Sequence, residues 1–401
     1  MLSASPLWMG GMGNRYHTHQ SPAVAQTRGA PLFSAALPTR GLRDLAVSAE
    51  GNCFGLCDQH VLAVTPAGET LWEAACPELA DQLLLLTEPD RLVVAGIEAV
   101  TIYDPHTGAR IQAWPNGLIS PPAYLPGVGF WGCENSGGGR ASLLRLDEAG
   151  QVVWRQALPR LTSAPPLIFE EEGLVVVGSG SYLRAYSFDG ELAWLANQSE
   201  FVSATAATRA DLALKNNSAG DTVYAPLQLD AHTVLAGLRW RDGYGLHLFD
   251  VRRRTVHPLG VHLPVGNVIA LQPGKTGPAA LIVKDWSDKP EPGTATFYIR
   301  RVTLQGQTLS QHAFPSAPIS ILTDAAGQFF VACSVTAQQW DMYHVGSLFS
   351  EMDRQCMVCG FSPTGEELFT WLPGGPLSWP MALGRNGELY VASEGKLWAL
   401  G

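Results

Sequence analysis

The chain has 401 residues, of which 46% are hydrophobic and 15% charged, with 42 glycines and 28 prolines. This composition is typical of a protein whose strands are buried on both faces and joined by many turns, and it excludes helix bundles and disordered tails. The formal charge of −10, from 26 basic and 36 acidic residues, argues against binding to nucleic acids or anionic lipid, because both repel a chain without a basic stripe.

The N-terminal segment, residues 1–28, has neither a basic start nor a continuous apolar core long enough for a signal peptide. No later stretch of the sequence approaches the length of a transmembrane span. The seven cysteines are odd in number and scattered, which favours reduced thiols that pack as small hydrophobic side chains. We therefore predict a flexible leader over residues 1–28 of a soluble, cytoplasmic protein.

A repeated phrase of about equal length follows this leader. It consists of two runs of alternating apolar residues joined by a glycine-containing turn, and it occurs in residues 60–72, 99–114, 142–154 and 182–194. A tryptophan closes each phrase, at spacings of 42, 40 and 40 residues: Trp72, Trp114, Trp154 and Trp194. Alternating runs around a glycine turn predict a β-hairpin, and the regular period predicts a repeat protein.

The same arrangement continues through four more units, with longer insertions between the strands. Three of these units span residues 232–260, 279–314 and 328–372, and Trp371 returns in the position of the closing tryptophan. The last unit, residues 380–401, supplies only three strands. The residues thus predict eight units, of which the last lacks its outermost strand.

An unpartnered strand near the N-terminus, residues 30–38, can supply the missing one. We therefore predict an all-β fold in which residues 29–401 form a single eight-bladed β-propeller of four-stranded antiparallel blades. The N-terminal strand closes the last blade, which removes an open edge.

The phrase Leu-x-Ala-Tyr/Val, Asp/Thr-x-x-Gly, x-x-x-Trp is followed by a Ser-x-Pro-Pro start to the next unit, as in residues 120–122 and 163–166. This pattern resembles the repeat of pyrroloquinoline-quinone (PQQ) dehydrogenases and of outer-membrane assembly lipoprotein propellers. The resemblance implies a propeller in which the tryptophan packs between neighbouring blades. It also implies, for a quinone enzyme, an adjacent Cys-Cys pair, which is absent here. We therefore expect no cofactor.

Two groups of residues in the sequence could form a metal or catalytic site. Cys356 and Cys359 are three residues apart, and on an extended strand such residues point to opposite faces, so we expect packing rather than a metal site. An acid/base or cation site is an alternative, because carboxylates near an imidazole suit hydrolysis or calcium binding; its residues are Asp341, His344, Glu351 and Asp353. No second motif completes that site, and no catalytic residue is assigned.

The long insertions fall on one side of the predicted propeller. They span residues 195–226, 284–295 and 336–355, with smaller loops at 239–245 and 132–140. Long loops on a rigid scaffold are where binding residues concentrate, and Trp, Tyr and Arg dominate interface hot spots. The residues predicted to bind a protein partner are Trp240, Arg241, Asp242, Tyr244, Asp285, Trp286, Asp288, Trp340, Tyr343 and His344.

These observations favour a non-catalytic scaffold that binds a protein partner through the insertion-rich face of the fifth to seventh units. Two alternatives stay open. One is a PQQ- or metal-dependent enzyme, or a binder of a small ligand, with its site in the central funnel. The other is a carbohydrate-binding propeller that uses exposed tryptophans.

Overall fold

The computed structural model describes most of the chain: residues 21, 23–39, 41–77, 79–160, 162, 164–180, 182–197, 201–203, 223–240, 243–263, 266–274, 277–286, 297–314, 318–334 and 356–401. All regular secondary structure in these ranges is β-strand. No helix in the described ranges is therefore long and apolar enough to cross a membrane. The strands form eight antiparallel sheets, which we number 1 to 8 in chain order.

The first four sheets use consecutive strands. Strand β1, Pro31–Ala36, precedes them and belongs to sheet 8. Sheet 1 consists of β2 Leu42–Val47, β3 Cys53–Cys57, β4 His60–Val64 and β5 Thr70–Ala75. Sheet 2 consists of β6 Ala80–Thr87, β7 Asp90–Gly96, β8 Val100–Tyr103 and β9 Arg110–Trp114. Sheet 3 consists of β10 Ala123–Leu125, β11 Gly129–Gly137, β12 Arg140–Leu146 and β13 Val152–Leu158. Sheet 4 consists of β14 Leu167–Phe169, β15 Leu174–Ser179, β16 Tyr182–Ser187, β17 Leu192–Ala196 and β18 Phe201–Ser203.

The last four sheets follow the same order. Sheet 5 consists of β19 Val223–Gln228, β20 Thr233–Trp240, β21 Gly243–Asp250 and β22 Thr255–Leu263. Sheet 6 consists of β23 Gly266–Gly274, β24 Gly277–Trp286, β25 Phe297–Val302 and β26 Thr308–Phe314. Sheet 7 consists of β27 Pro318–Thr323, β28 Phe329–Ser334, β29 Cys356–Phe361 and β30 Glu367–Trp371. Sheet 8 consists of β31 Leu377–Leu383, β32 Leu389–Ser393, β33 Lys396–Leu400 and β1.

First strands of neighbouring sheets contact one another: β2 lies against β6 and β31, β27 against β23 and β31, and β14 against β10 and β19. Middle strands are buried on both faces, as in β3 and β15, because each is covered by a sheet on either side. Outer strands alternate between exposed and half-buried residues, as in β5 and β13. The sequence therefore reads as apolar runs in the middle strands and as period-2 alternation in the outer strands.

The closing tryptophans pack beneath the turn of the next sheet, as the family resemblance implies. The Trp72 indole lies under Gly108, where a Cβ would be 2.6 Å from the ring, and its Nε1 donates to the Pro105 carbonyl over 2.9 Å. Trp154 repeats this contact, because its Nε1 donates to the Phe188 carbonyl over 2.7 Å. The turn glycines that cover these two indoles are Gly108 and Gly190. Both have positive φ, which glycine adopts without strain, and neither has a Cβ that would clash with the ring.

Strand register corrects two assignments of this closing position. In sheet 1, Trp72 lies opposite Ala63, one pair after a bulge. The residue at the same register in sheet 7 is Phe369, opposite Gly360, so the prediction that Trp371 closes this unit is wrong. In sheet 2 the position holds Gln112, and Trp114 lies two residues further along the strand. The spacing of tryptophans hid this shift because residues two apart share one face of a strand.

The two ends of the chain meet at the outer edge of sheet 8. Strand β1 pairs antiparallel with β33, and the Gly401 amide donates to the Ala30 carbonyl over 2.8 Å. Gly29 has a φ of +80° and lies against the Phe369 ring. Phe33 in turn lies under Gly68 of sheet 1. The chain ends thus build the turn that is continuous in the other sheets.

Part of the predicted flexible leader is packed, which moves the boundary of the folded region toward the N-terminus. Ser21, Ala23, Ala25 and Thr27 are buried. The Ala25 amide donates to Asp324 Oδ2 over 2.9 Å, and the Ala25 carbonyl accepts from the side-chain amide of Gln328 over 2.9 Å. Hence the prediction of a flexible leader is wrong for this described stretch, while residues 1–20 lie outside the described part.

Two local features also differ from the sequence prediction. The small loop predicted at 132–140 is a paired hairpin, in which Gly137 lies opposite Arg140. Sheet 4 has a fifth strand, β18, which pairs with the outer edge of β17. The Phe201 ring of β18 packs on Trp194, with ring centroids 4.8 Å apart, so this edge is covered by the chain itself.

Candidate partner-binding face

The predicted binding residues of sheet 5 lie at the tip of one hairpin. Strands β20 and β21 pair without a bulge up to Trp240 and Gly243, and Arg239 lies opposite Tyr244. The predicted loop 239–245 is therefore two strand ends and a short connection. Arg241 and Asp242 lie outside the described residues.

The predicted residues of sheet 6 lie at the equivalent end of the next hairpin. Trp286 is the last residue of β24 and lies opposite Phe297, while Asp285 lies opposite Tyr298. The Phe297 side chain is buried, which fixes the base of this hairpin in the core. Asp288 lies outside the described residues.

In sheet 7 the strand pairing brackets the insertion predicted at 336–355. Ser334, the last residue of β28, lies opposite Cys356, the first residue of β29. Trp340, Tyr343 and His344 lie between them, outside the described residues. The side chains of Trp240, Tyr244, Asp285 and Trp286 are also outside the described part, so the structure gives the strand positions of these four residues only.

Connections on the opposite side of the sheets are tight wherever they are described. The Gly68 amide donates to the Thr65 carbonyl over 3.0 Å, and the Gly190 amide donates to the Ser187 carbonyl over 2.9 Å. Each is a minimal β-turn with a glycine at positive φ. Among described residues, the connections between second and third strands of sheets 1, 2, 3 and 8 are likewise short. The long ones belong to sheets 6 and 7, where β24 ends at Trp286 and β28 at Ser334.

Titratable groups beneath these hairpins are held in their neutral forms. Burial lowers the pKa of His247 in β21, against an opposing hydrogen bond from Nδ1 to the Gly245 carbonyl at 3.3 Å. Burial raises the pKa of the Cys359 thiol, whose Sγ lies 3.3 Å from Thr370 Oγ1. A thiol whose pKa is raised by burial is a poor nucleophile.

Part of the chain matches the model of a known protein family. Residues 57–246 match the family model described as outer membrane protein assembly factor BamB. Residues 57–246 carry a PQQ-like propeller repeat. The match covers just under half of the chain, from the end of β3 in sheet 1 to the start of β21 in sheet 5. The resemblance indicated by the repeated phrase is thereby confirmed.

Solved structures show a likeness in fold over nearly the whole chain. BamB from Moraxella catarrhalis is similar with a TM-score of 0.59 at 16% identity, covering 92% of this chain and 98% of that one. The WD40 domain of SCAP from fission yeast gives a TM-score of 0.54 at 11% identity, covering 92% and 97%. Dihydro-heme d1 dehydrogenase NirN in complex with DHE gives 0.54 at 13% identity, covering 93% and 76%.

At identities this low, the structural likeness establishes a propeller-type all-β fold and does not indicate any chemistry. The likeness in fold spans a WD40 domain and a dehydrogenase. No curated protein matches the chain.

Proposed function

We propose that the eight sheets are the blades of one closed ring, with β1 as the outer strand of the last blade. Contacts of β2 with both β6 and β31 support this arrangement, because the first sheet then touches the second and the last. The pairing of β1 with β33 supports it as well, since an outer strand from the far chain end locks a ring without an open edge.

This ring acts as a non-catalytic scaffold that binds a protein partner through the second-to-third-strand connections of sheets 5 to 7. A propeller of the BamB and WD40 type is consistent with a protein-interaction scaffold. The observation that carries the proposal is the position of two aromatic residues, Trp240 and Trp286, each at the last residue of a second strand in consecutive sheets. Indole side chains bury a large area at low conformational cost, so they suit the centre of an interface.

The test compares tryptophan substitutions in sheets 5 to 7 with a substitution in the corresponding connection of sheet 2. Trp240→Ala, Trp286→Ala and Trp340→Ala are expected to weaken capture of the partner by at least tenfold and to leave the unfolding temperature nearly unchanged. Ile97→Ala is the control, because Ile97 is half-exposed in the corresponding connection of sheet 2. Equal capture by all four variants contradicts the proposal, and a large drop in unfolding temperature shows that the indoles are structural.

The proposed location of the scaffold is the cytoplasm. All seven cysteines are free, and six of them are buried, which suits a reducing compartment. Cell fractionation with an antibody to the native protein checks this, because recovery with the outer membrane would instead place the scaffold beside the proteins that the matching family helps to assemble.

A further inference from the structure

A histidine and two glutamates from different sheets meet on the side opposite the long insertions. Glu171 and Glu172 lie in the turn between β14 and β15, and His232 lies in the turn between β19 and β20. Packing of β15 against β19 brings the two turns together. One donor atom from each of the three side chains lies within 4.8 Å of the other two.

The imidazole of His232 lies between the two carboxylates. Its Nδ1 is 2.7 Å from Glu172 Oε1, and its Nε2 is 3.7 Å from Glu171 Oε2. With Nδ1–H donating to Glu172, the free lone pair is on Nε2, the ring nitrogen that lies 3.7 Å from Glu171 Oε2. A carboxylate that holds one ring nitrogen while the other faces a second ligand is the arrangement by which proteins orient metal-binding histidines.

The spacing of the two free donors fits a small divalent ion. Zinc binds imidazole nitrogen and carboxylate oxygen at about 2.0–2.2 Å, so two ligands on one tetrahedral ion lie roughly 3.4 Å apart. The 3.7 Å between Nε2 and Glu171 Oε2 is within easy reach of this value. Glu171 is exposed, which leaves its side chain free to adjust.

The charge of the cluster is unbalanced without a cation. Two carboxylates face one imidazole, and among the described residues neither glutamate forms an ion pair with Lys or Arg. Glu172 is only 13% exposed, and its Oε2 is buried without a hydrogen-bond partner in the described part of the chain. A buried carboxylate oxygen that lacks a donor is costly, and a nearby positive ion reduces that cost.

Local hydrogen bonds hold the two turns in place. The Gly173 amide donates to the Glu170 carbonyl over 3.1 Å, and Gly173 has a φ of +62°. The His232 amide donates to Asp230 Oδ1 over 2.8 Å. The donors therefore come from two fixed turns rather than from loose loops.

We propose that this cluster binds a divalent transition-metal ion of the zinc class, with His232 Nε2 and Glu171 as ligands and Glu172 as the positioning carboxylate. An imidazole ligand suits zinc rather than calcium or magnesium, which prefer all-oxygen sites. Water completes the coordination. The ion ties the first turn of sheet 4 to that of sheet 5, on the side opposite the proposed partner-binding face.

Titration calorimetry of the chelator-treated full chain with zinc alone tests the site. One equivalent is expected to bind the native protein, at least tenfold more weakly in Glu171→Gln and His232→Ala, and 10–100-fold more weakly in Glu172→Gln. His106→Ala is the matched control and should bind as the native protein, because His106 Nε2 faces a single carboxylate, Asp90, at 2.6 Å.

A second measurement separates loss of ligands from loss of folding. Glu171 is exposed, so Glu171→Gln should unfold at the native temperature in the presence of chelator, while zinc should raise that temperature only in the native protein and in His106→Ala. Unchanged zinc affinity in both Glu171→Gln and His232→Ala overturns the proposal and assigns the binding to other donors, such as the half-buried Cys76.

Discussion

Sheets 1 to 3 differ from sheets 5 and 6 in how the outer strand of one sheet packs against the turn of the next. In the first group an indole lies beneath the turn glycine of the next sheet, as Trp72 does under Gly108. In sheet 6 the corresponding register position holds Ser310, and His312 lies two residues further along. The turn of sheet 5 has Arg254 at a φ of +56°, where other turns have glycine. Sheets 1 to 3 therefore share a contact between an indole and a turn glycine that the described residues of sheets 5 and 6 lack, and sheet 6 also carries one of the long insertions.

The largest effect should come from removing β1, the N-terminal strand that pairs with the C-terminal strand β33. Deletion of residues 1–36 exposes the β33 edge and uncovers Gly68, which Phe33 covers. We expect loss of about 5 kcal/mol or more, which is comparable to the whole stability of many domains. Thermal unfolding and size-exclusion chromatography should report an unfolded or aggregated chain. Deletion of residues 1–20 removes none of these contacts, and native-like unfolding of the longer deletion contradicts the closure.

A smaller effect should follow loss of one indole from sheets 1 to 3. Trp154→Ala removes a half-buried ring and its hydrogen bond to Phe188, so we expect destabilisation by about 2–4 kcal/mol in urea unfolding. Trp371→Ala is the matched comparison, since Trp371 lies outside the closing register and contacts Trp398 at 5.8 Å between ring centroids. Equal losses of stability would show that an indole's register in the outer strand does not determine its contribution to stability.

The turn glycines offer a third comparison. Gly150 has a φ of +76° and lies against the Trp114 ring, so Gly150→Ala meets both backbone strain and a clash. We expect a loss of about 2–3 kcal/mol, against roughly 1 kcal/mol for Gly139→Ala, where φ is +74° and the space is open. Urea unfolding of both variants measures the difference, and equal losses of stability would show that the contact with the Trp114 ring does not contribute.

The smallest effect should be a pH dependence confined to sheets 5 and 6. Burial lowers the pKa of His312, against opposing effects of the Gly365 backbone and Glu367. Because the folded pKa lies below the unfolded value of about 6.5, the unfolded chain takes up the proton first, and stability falls as pH drops below that value. His312→Gln should flatten part of this decline between pH 7 and pH 5. An unchanged profile would assign the decline to other groups, His247 among them.

Sequence periodicity predicted the hairpins and their repeat because alternation and glycine turns are local signals. The register of the closing residue was partly hidden, since Trp114 and Gln112 share one strand face. A finer signal was present in the spacing: Gly68 precedes Trp72 by four residues, as Gly29 precedes Phe33. That spacing identifies the last outer strand and its turn, and it contradicts a flexible leader up to residue 28.

The candidate sites depended on contacts that no local pattern encodes. Trp286 was found because it ends an apolar strand before a long insertion, and Trp240 because it ends an apolar strand before a smaller loop. The cluster of Glu172 and His232 was missed because its members are 60 residues apart and meet only when sheets 4 and 5 pack. Strand β18 was missed for a similar reason, since pairing with an outer edge requires knowledge of which edge is free.

The central claim is that the partner binds to the insertion-bearing side of sheets 5 to 7. Hydrogen–deuterium exchange of the full chain, with and without the captured partner, tests it most directly. The account predicts slower exchange on partner binding within residues 239–245, 284–295 and 336–355, and unchanged exchange in the turns at 65–68 and 187–190. Protection of those turns, with the three insertions unaffected, would contradict it.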